Sequence, residues 1–297
     1  MGSLNIICSK GPLQSNYSNL NTEHISNENI IINQIKNSNN IIWIRNGSYD
    51  FTTSTDLDIF SNNLELINHP VILITSDGDR SVPKSYSLKT IWNILNHSKI
   101  LDWYTQNYDF SITHFKLKPL PIGMDLHSKH MLINNSANSK LDFFVNLREL
   151  KIQKIKNKIF SDTHLSLNSY DRSELYSKLK NNKYIEFLEN RVPCNQILRM
   201  YNNYQFVISP HGRGLDCHRT WELFMLGCIV IVKTSSLDNM YTNNDLPVVI
   251  IDNWDDLNTN LSEKLNQWYQ EKFHLTSTEN IYSKMSYQYW LPNIIIS

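Results

Sequence analysis

Short apolar runs separated by polar turns follow one another along the chain from residue 40 onward. The runs rich in β-branched or aromatic residues in the first half predict strands at 41–44, 71–75 and 100–104. Residues 85–96 predict a helix, and the proline-rich segment 118–123 predicts a connection. Residues 4–40 contain two apolar patches but give no element that we can place.

The second half alternates strands and helices more regularly. We predict strands at 141–145, 184–188, 206–209, 229–232 and 248–251. We predict helices at 149–160, 194–204, 214–226, 261–273 and 277–290, with Gly227 ending the third. Because β-branched runs that alternate with helices form parallel sheets covered on both faces, the pattern predicts an α/β protein. Two such units joined near residues 125–140 would form two lobes with a ligand cleft between them.

Composition and charge exclude several other classes of protein. The 297 residues are 41% hydrophobic, which is a globular composition, and 28 basic residues balance 28 acidic ones. This balance weakens a nucleic-acid-binding interpretation, and no apolar run is long enough to span a membrane. The four cysteines form no C-x-x-C pair and predict neither a zinc site nor a disulfide framework. With no visible signal peptide, we expect a cytoplasmic protein.

The segment 206–232 carries the clearest chemistry. A predicted buried strand ends at Ser209, and Gly212, Arg213 and Gly214 lead directly into a predicted helix. Both glycines would allow positive φ and a close backbone approach, and the first helical amides, near Leu215 and Asp216, would attract an anion. Arg213 adds a fixed positive charge, so the turn suits a diphosphate. The alternative is a strand-to-helix turn that binds nothing.

The predicted helix adds a charged pair to this turn. Arg219 and Glu222 are three residues apart, on the face opposite the apolar side, so they would be surface neighbours. Glu222 could accept both hydroxyls of a ribose, and Arg219 could reach its phosphates. The alternative is an ordinary exposed ion pair.

Residues 209–232 resemble the signature of exostosin-like glycosyltransferases, glycosyltransferase family 47, of the GT-B superfamily. The matching positions are Gly212, Gly214, Leu215, Asp216, Arg219, Trp221, Glu222, Gly227, Cys228 and Ile229. The chain departs from this signature at Leu223 and Val230, where alanine and proline are usual. Strong resemblance covers about residues 200–256, and weaker similarity extends to 120–125 and 76–79.

The resemblance implies a GT-B fold with two Rossmann-like lobes. We expect an acceptor-side lobe at 1–128, a donor-binding lobe at 129–275, and a C-terminal helix at 276–297 that packs back on the first lobe. It also implies a UDP-sugar donor as co-substrate, a glycan acceptor, inversion at the anomeric carbon, and no cofactor or obligatory metal ion. The donor-binding residues would be Ser209, Gly212, Arg213, Gly214, Leu215, Arg219 and Glu222, with the nucleobase near Arg191.

An inverting transfer needs a base that removes a proton from the acceptor hydroxyl. Asp77 and Asp79, after a predicted strand of the first lobe, are the candidates, although the Ser-Asp-Gly-Asp sequence could equally be a capped turn. His211 could donate to the sugar or the β-phosphate, or could pack as a loop histidine. Asp125 is either a cleft residue at the hinge or a turn cap.

Two further kinds of function stay open at this point. A phosphorylase or an epimerase could use the same fold. A non-catalytic partner subunit could keep the glycine turn and bind a nucleotide-sugar or a glycan without turnover.

Overall fold

The computed structural model describes residues 6–10, 28–47, 55–166 and 169–292. The first of two parallel sheets has the spatial order β1-β2-β3-β4. Its strands are β1 (Ile41–Arg45), β2 (Val71–Ser76), β3 (Ile100–Thr105) and β4 (Leu117–Pro119). The first three strands were predicted. β4 begins at the predicted connection, and its proline is tolerated because β4 lies at the edge of the sheet.

The second sheet has five strands in the spatial order β6-β5-β7-β8-β9, and all its pairs are parallel. Its strands are β5 (Ile155–Ser161), β6 (Ile185–Phe187), β7 (Tyr204–Ile208), β8 (Ile229–Lys233) and β9 (Val248–Ile251). Strand β6 pairs with one side of β5, and the chain then returns so that β7 pairs with the other side of β5. The order therefore reverses between β5 and β7, which creates a crevice beyond their carboxyl ends.

Helices connect and cover the strands of both sheets. They are α1 (Glu28–Asn37), α2 (Asp56–Asn62), α3 (Leu88–Asn96), α4 (Ala137–Glu149), α5 (Tyr170–Leu179), α6 (Cys194–Asn202), α7 (His218–Met225), α8 (Asp238–Thr242), α9 (Leu261–Lys272), α10 (Thr278–Lys284) and α11 (Tyr287–Trp290). Serine side chains accept a backbone N–H at the start of α3, α4, α5, α10 and α11. These elements confirm the predicted fold class, α/β with two Rossmann-like lobes.

Two predicted elements after residue 140 are wrong. The predicted strand 141–145 lies within helix α4, whose buried residues recur every three or four positions, at Ala137, Lys140, Phe144 and Leu147. The predicted helix 149–160 contains strand β5 instead, and only its last three residues are buried. The apolar run at 141–145 is too short for its period to be decisive, which explains the first error.

One hydrophobic core extends through both lobes. It includes Trp43 and Ile74 of the first sheet region together with Val207 of the second. A short N-terminal segment joins the two ends of the chain, since the amide of Ile7 donates to the carbonyl of Met285 at 2.7 Å. The hydroxyl of Tyr287 also donates to the carbonyl of Cys8 at 2.6 Å. The C-terminal helices therefore contact residues 7–8, and the domain limits at 128 and 275 stay predictions.

Within the described ranges, we find no helix with both the length and the apolar character that a bilayer crossing requires.

Candidate functional site

The cleft between the lobes contains a cavity of about 590 Å³ beyond the carboxyl ends of β5 and β7. Ligands of open parallel sheets usually bind at such a reversal of strand order. The predicted site residues that line it are Asp79, Arg191, Gly212, Arg213, Gly214, Arg219 and Glu222. Four other predicted residues lie outside this lining: Asp77, Ser209, His211 and Leu215.

The turn after β7 is longer than the sequence predicts. Helix α7 begins at His218, four residues later than expected, with Cys217 as its N-cap. The amide of Asp216 donates to Oδ1 of Asn107 at 2.9 Å. The predicted anion-binding role is therefore wrong for this amide, because a side chain of the first lobe already occupies it. The first helical amides are those that follow Cys217.

Gly214 permits a close contact between the lobes. A Cβ on Gly214 would lie 2.9 Å from Nδ2 of Asn107 and 3.3 Å from Cα of Asp79. The prediction of positive φ is wrong for Gly212 and Gly214, whereas Gly227, with φ of 72°, ends α7 as predicted. The glycine turn therefore touches the loops that follow β2 and β3.

Helix α7 is covered on both sides, contrary to the prediction of one exposed polar face. Residues 220–225 are all buried, because α4 and α10 pack against α7 as well as strand β8. Arg219 and Glu222 therefore do not form a surface ion pair. Each has its own partner from another element.

Arg219 bonds to side chains that precede β7 and follow β5. Its Nε donates to Oη of Tyr201 at 3.1 Å, and its Nη2 donates to Oδ2 of Asp162 at 3.3 Å. Its Nη1 is shielded from solvent and makes no hydrogen bond to any described residue. Burial acts to lower the pKa of Arg219, but Asp162 and Tyr201 outweigh it and raise the pKa. Arg219 thus stays charged and keeps one N–H group for a ligand.

Glu222 forms a buried ion pair with Lys140 of α4. Nζ of Lys140 lies 2.6 Å from Oε1 of Glu222, and the two side chains are 0% and 3% exposed. The amide of Asp125 donates to the same oxygen at 3.3 Å, and Lys140 also donates to the carbonyl of Asp125 at 2.7 Å. Sequence reasoning missed Lys140 because it placed a strand at 141–145.

Asp125 caps a turn, as one of its two predicted alternatives states. Its Oδ1 accepts the amides of His127 and Ser128 at 3.2 and 2.9 Å, and the residue also lines the cavity. Burial alone would raise the pKa of Asp125, but its electrostatic interactions with His218, His127 and Lys140 and the amide of Ser128 lower it. Asp125 therefore remains ionised at the hinge between the lobes.

The carboxylate of Asp216 also connects the lobes. It accepts the amide of Ile122 at 2.7 Å and Nε1 of Trp221 at 2.8 Å. Burial raises the pKa of Asp216 to about 6 although these hydrogen bonds act in the opposite direction. The Asp216 position of the motif therefore holds the hinge against α7.

Two further arginines, Arg172 and Arg213, line the cavity beside the glycine turn. Arg172 lies in the first turn of α5, and its Nη2 would lie 3.4 Å from a Cβ on Gly212. Burial, with a smaller effect from Arg219, lowers the pKa of Arg172. This mutual repulsion is what a bound anion would relieve. The sequence gives no signal for Arg172, since it lies about forty residues before the motif in an otherwise ordinary helix.

Arg191 is exposed and lines the cavity, next to an apolar part of its wall. Its Nε and Nη2 both donate to the carbonyl of Leu165, at 3.2 and 2.6 Å. Leu165 and Leu188 line this wall, together with Val192 and Pro193. Arg191 therefore positions an apolar wall next to the arginine cluster.

The three candidate catalytic residues occupy different surroundings. Asp79 lines the cavity. Asp77 forms an ion pair with Lys10 at 2.7 Å and lies 3.6 Å from Nε of Arg45. His211 is half-buried, its amide donates to Asp171 at 2.9 Å, and burial lowers its pKa. Of these three residues, only Asp79 borders the space in which a substrate would bind.

Ser209 and Leu215 hold the turn in place. Oγ of Ser209 lies 2.9 Å from Oγ1 of Thr220, and this contact fastens the end of β7 to α7. Leu215 packs against the shared hydrophobic core.

Three hinge residues are close enough to hold a metal ion, which the sequence did not predict. Potential ligand atoms of Asp125, His127 and His218 all lie within 4.8 Å of one another. Nδ1 of His218 is engaged with the carbonyl of Gly123 at 2.8 Å, which leaves Nε2 as its ligand atom. The positive field of Lys140 reaches Asp125, so this group already has a cationic neighbour.

Comparison with known proteins adds little at the level of sequence. No family model matches the chain, and no curated protein matches it.

Three solved structures show weak structural similarity to the chain. The N-terminal domain of Candida albicans trehalose-6-phosphate phosphatase is 13% identical, with a TM-score of 0.45, over 90% of this chain and 72% of that one. WaaG, a glycosyltransferase involved in lipopolysaccharide biosynthesis, is 11% identical, with a TM-score of 0.33, over 82% and 96%. The GtfA/B complex is 9% identical, with a TM-score of 0.37, over 81% and 59%. At these scores the function has to be argued from the site.

Proposed function

We propose that the protein is an exostosin-like glycosyltransferase that moves a sugar from a UDP-sugar to a glycan acceptor. The observation that supports this function is the convergence of Arg172, Arg213 and Arg219 on one cavity at the reversal of strand order. Arginine side chains bind phosphate oxygens in fixed, bidentate geometry. Such a cluster suits a leaving diphosphate, whose negative charge grows as the glycosidic bond breaks.

The rest of the donor would follow from that position. The uracil would lie against the apolar wall that Arg191 holds, and the ribose would reach Glu222. Because Oε1 of Glu222 already accepts from Lys140 and Asp125, its ribose contact would use Oε2. Gly212 and Gly214 would let the diphosphate approach the backbone of the turn.

Asp79 is our choice for the base. It belongs to the first lobe and lines the cavity, so an acceptor bound in the cleft would present its hydroxyl to this carboxylate. Attack from that side, opposite the diphosphate, inverts the anomeric carbon. We propose a metal-independent reaction, because arginines would neutralise the leaving group. We also propose a cytoplasmic location, which the four free cysteines support.

A thermal-shift panel of nucleotide-sugars tests the donor site. The correct donor at 100 times its Kd should stabilise the protein by about 2.7 kcal/mol. Arg172→Ala should abolish most of that shift, whereas Arg199→Ala, an exposed arginine outside the cavity, should leave it unchanged. A panel in which no nucleotide-sugar shifts the melting temperature contradicts the proposed function.

Product analysis with the identified donor then separates the remaining alternatives. Release of UDP with a new glycosidic bond supports the transferase. Binding without turnover supports a non-catalytic subunit, and a changed sugar or a sugar phosphate supports an epimerase or a phosphorylase.

A further inference from the structure

A second cavity lies at the opposite end of the strands of the five-stranded sheet. It has a volume of about 440 Å³ and is bordered by residues at the amino ends of β5 and β7. Strand β5 has seven residues, so this cavity is about 20 Å from the cleft. Its charged lining residues are Arg148, Lys151, Lys154 and Lys156, and none of the described residues that line it is acidic. We refer to it as the basic cavity.

Two of these cations are held firmly by uncharged oxygens. Nη1 of Arg148 donates to the carbonyls of Phe224 and Met225 at 3.3 and 3.1 Å. Nζ of Lys154 donates to the carbonyl of Leu226 at 2.9 Å. Both side chains therefore cap the carboxyl end of α7, where cations are favoured. Dipoles orient these two charges without cancelling them.

Burial lowers the pKa of both groups, and no carboxylate among the described residues counteracts it. Cys228 acts to raise the pKa of Lys154. Tyr282 and Cys228 act to raise the pKa of Arg148. An anion that entered the basic cavity would supply the missing negative charge. It would also interact more strongly there than at an open surface.

The other two lysines are exposed at the rim. Lys151 has φ of 46°, a conformation uncommon for a side-chain-bearing residue. Nζ of Lys156 lies 4.9 Å above the ring of Tyr269, which stacks on Phe273 with a centroid distance of 4.7 Å. The rim thus combines two exposed positive charges with a pair of stacked aromatic rings.

We propose that the basic cavity binds a ligand that carries two or more phosphate groups. Four cations without a facing carboxylate exceed what a single carboxylate ligand would neutralise, and phosphate oxygens can accept from several lysines at once. The phosphates belong either to a soluble diphosphate or to the headgroup of a lipid. This site is separate from the donor cleft and does not depend on the proposed transferase activity.

Lysine acetylation of the full chain tests the proposal at residue level. Inorganic pyrophosphate is the soluble probe, and acetylation of each lysine by acetic anhydride is measured by mass spectrometry across a pyrophosphate titration. We expect protection of Lys151 and Lys156, with no change at the exposed Lys89 and Lys180. Because protection is read at individual lysines, binding of pyrophosphate in the cleft does not interfere.

Single substitutions show whether the rim lysines act on one ligand. In Lys151→Ala, the pyrophosphate concentration that half-protects Lys156 should rise about threefold, as for the loss of one exposed ion pair. Lys89→Ala, a matched lysine on the other lobe, should leave that concentration unchanged.

A second arm identifies the source of the phosphates. Phosphatidylcholine vesicles with and without a phosphoinositide that bears two ring phosphates replace pyrophosphate in the same measurement. Protection by phosphoinositide vesicles alone assigns a lipid headgroup, and protection by pyrophosphate assigns a soluble ligand. The proposal is overturned if neither probe protects Lys151 and Lys156, or if Lys151→Ala leaves protection of Lys156 unaltered.

Discussion

Lys140 and Lys154 lie near opposite ends of the strands of the five-stranded sheet, and their surroundings differ in one respect. Lys140 faces the carboxylate of Glu222 at 2.6 Å, whereas Lys154 donates to carbonyl and amide oxygens and contacts a thiol. Burial acts to lower the pKa of both. Glu222 and Asp125 reverse that effect for Lys140 and raise its pKa, while the pKa of Lys154 remains lowered.

The comparison separates two uses of a buried cation. A lysine that is paired with a buried carboxylate is needed for the stability of the fold, since removal of either partner leaves an uncompensated charge. A lysine oriented only by dipoles keeps its charge for a ligand. The cleft arginines are intermediate, because Arg219 faces Asp162 and retains an N–H group without a hydrogen bond.

The largest effect should come from breaking the Lys140 pair. Lys140→Met removes the charge at similar length and leaves Glu222 ionised in a buried position, so we expect a loss of about 3–5 kcal/mol in the free energy of unfolding. Urea denaturation measures it. Adding Glu222→Gln to Lys140→Met should recover much of the loss, and a double variant as unstable as the single one would contradict this explanation.

A smaller effect should follow from removing the carboxylate that faces Arg219. Asp162→Asn keeps the side-chain shape but takes one negative charge away from the proposed diphosphate position. Donor affinity should improve about fivefold, the scale of one partly screened ion pair. Calorimetric titration of the donor measures it, with Asp142→Asn, on α4 and outside the cavity lining, as the matched control. Weaker donor binding in Asp162→Asn would show that Asp162 positions Arg219.

Lys154→Met should change stability by only about 1 kcal/mol, because hydrogen bonds are lost but no carboxylate is left unpaired. The sign of the pH dependence of this stability difference is more informative. The folded pKa of Lys154 lies below the ordinary 10.5, so between the two values the unfolded chain binds more protons. The native protein should therefore gain stability relative to Lys154→Met as the pH rises toward 10.5. Denaturation at several pH values measures this difference, and a flat difference would contradict the lowered pKa.

The smallest expected effect concerns metal ions. Because Lys140 already provides positive charge near Asp125, removal of divalent cations with EDTA should leave donor turnover unchanged. Turnover that falls with EDTA and returns with added Mg²⁺ or Mn²⁺ would instead assign the Asp125, His127 and His218 group to the reaction.

The sequence predicts most of the fold correctly because a buried parallel strand can be recognised from its own residues. Most residues of Val71–Ser76 and Ile229–Lys233 are β-branched, as is usual for strands of a parallel sheet that is covered on both faces. The error after residue 140, where α4 was predicted as a strand and β5 as a helix, has a local cause as well. The run at 141–145 is five residues long, and its helical period becomes visible only when Ala137 and Leu147 are included.

The site is less predictable because its partners come from distant segments. The glycine turn and Arg213 could be found in one motif, and they line the cleft. Asn107, Lys140 and Arg172 could not, since each contacts that motif only in the folded protein: Asn107 reaches it from the first lobe, and the other two from helices distant in sequence. A motif thus identifies the groups that approach a ligand but not the groups that already occupy its hydrogen bonds.

The contact at Gly214 sets how closely the two lobes can approach each other. A single added carbon there would meet Asn107 at 2.9 Å and Asp79 at 3.3 Å. An alanine there would require the Asn107 side chain to move and the backbone at Asp79 to shift by a few tenths of an ångström. The absence of a side chain at Gly214 therefore sets the spacing between the turn after β7 and the loops that follow β2 and β3.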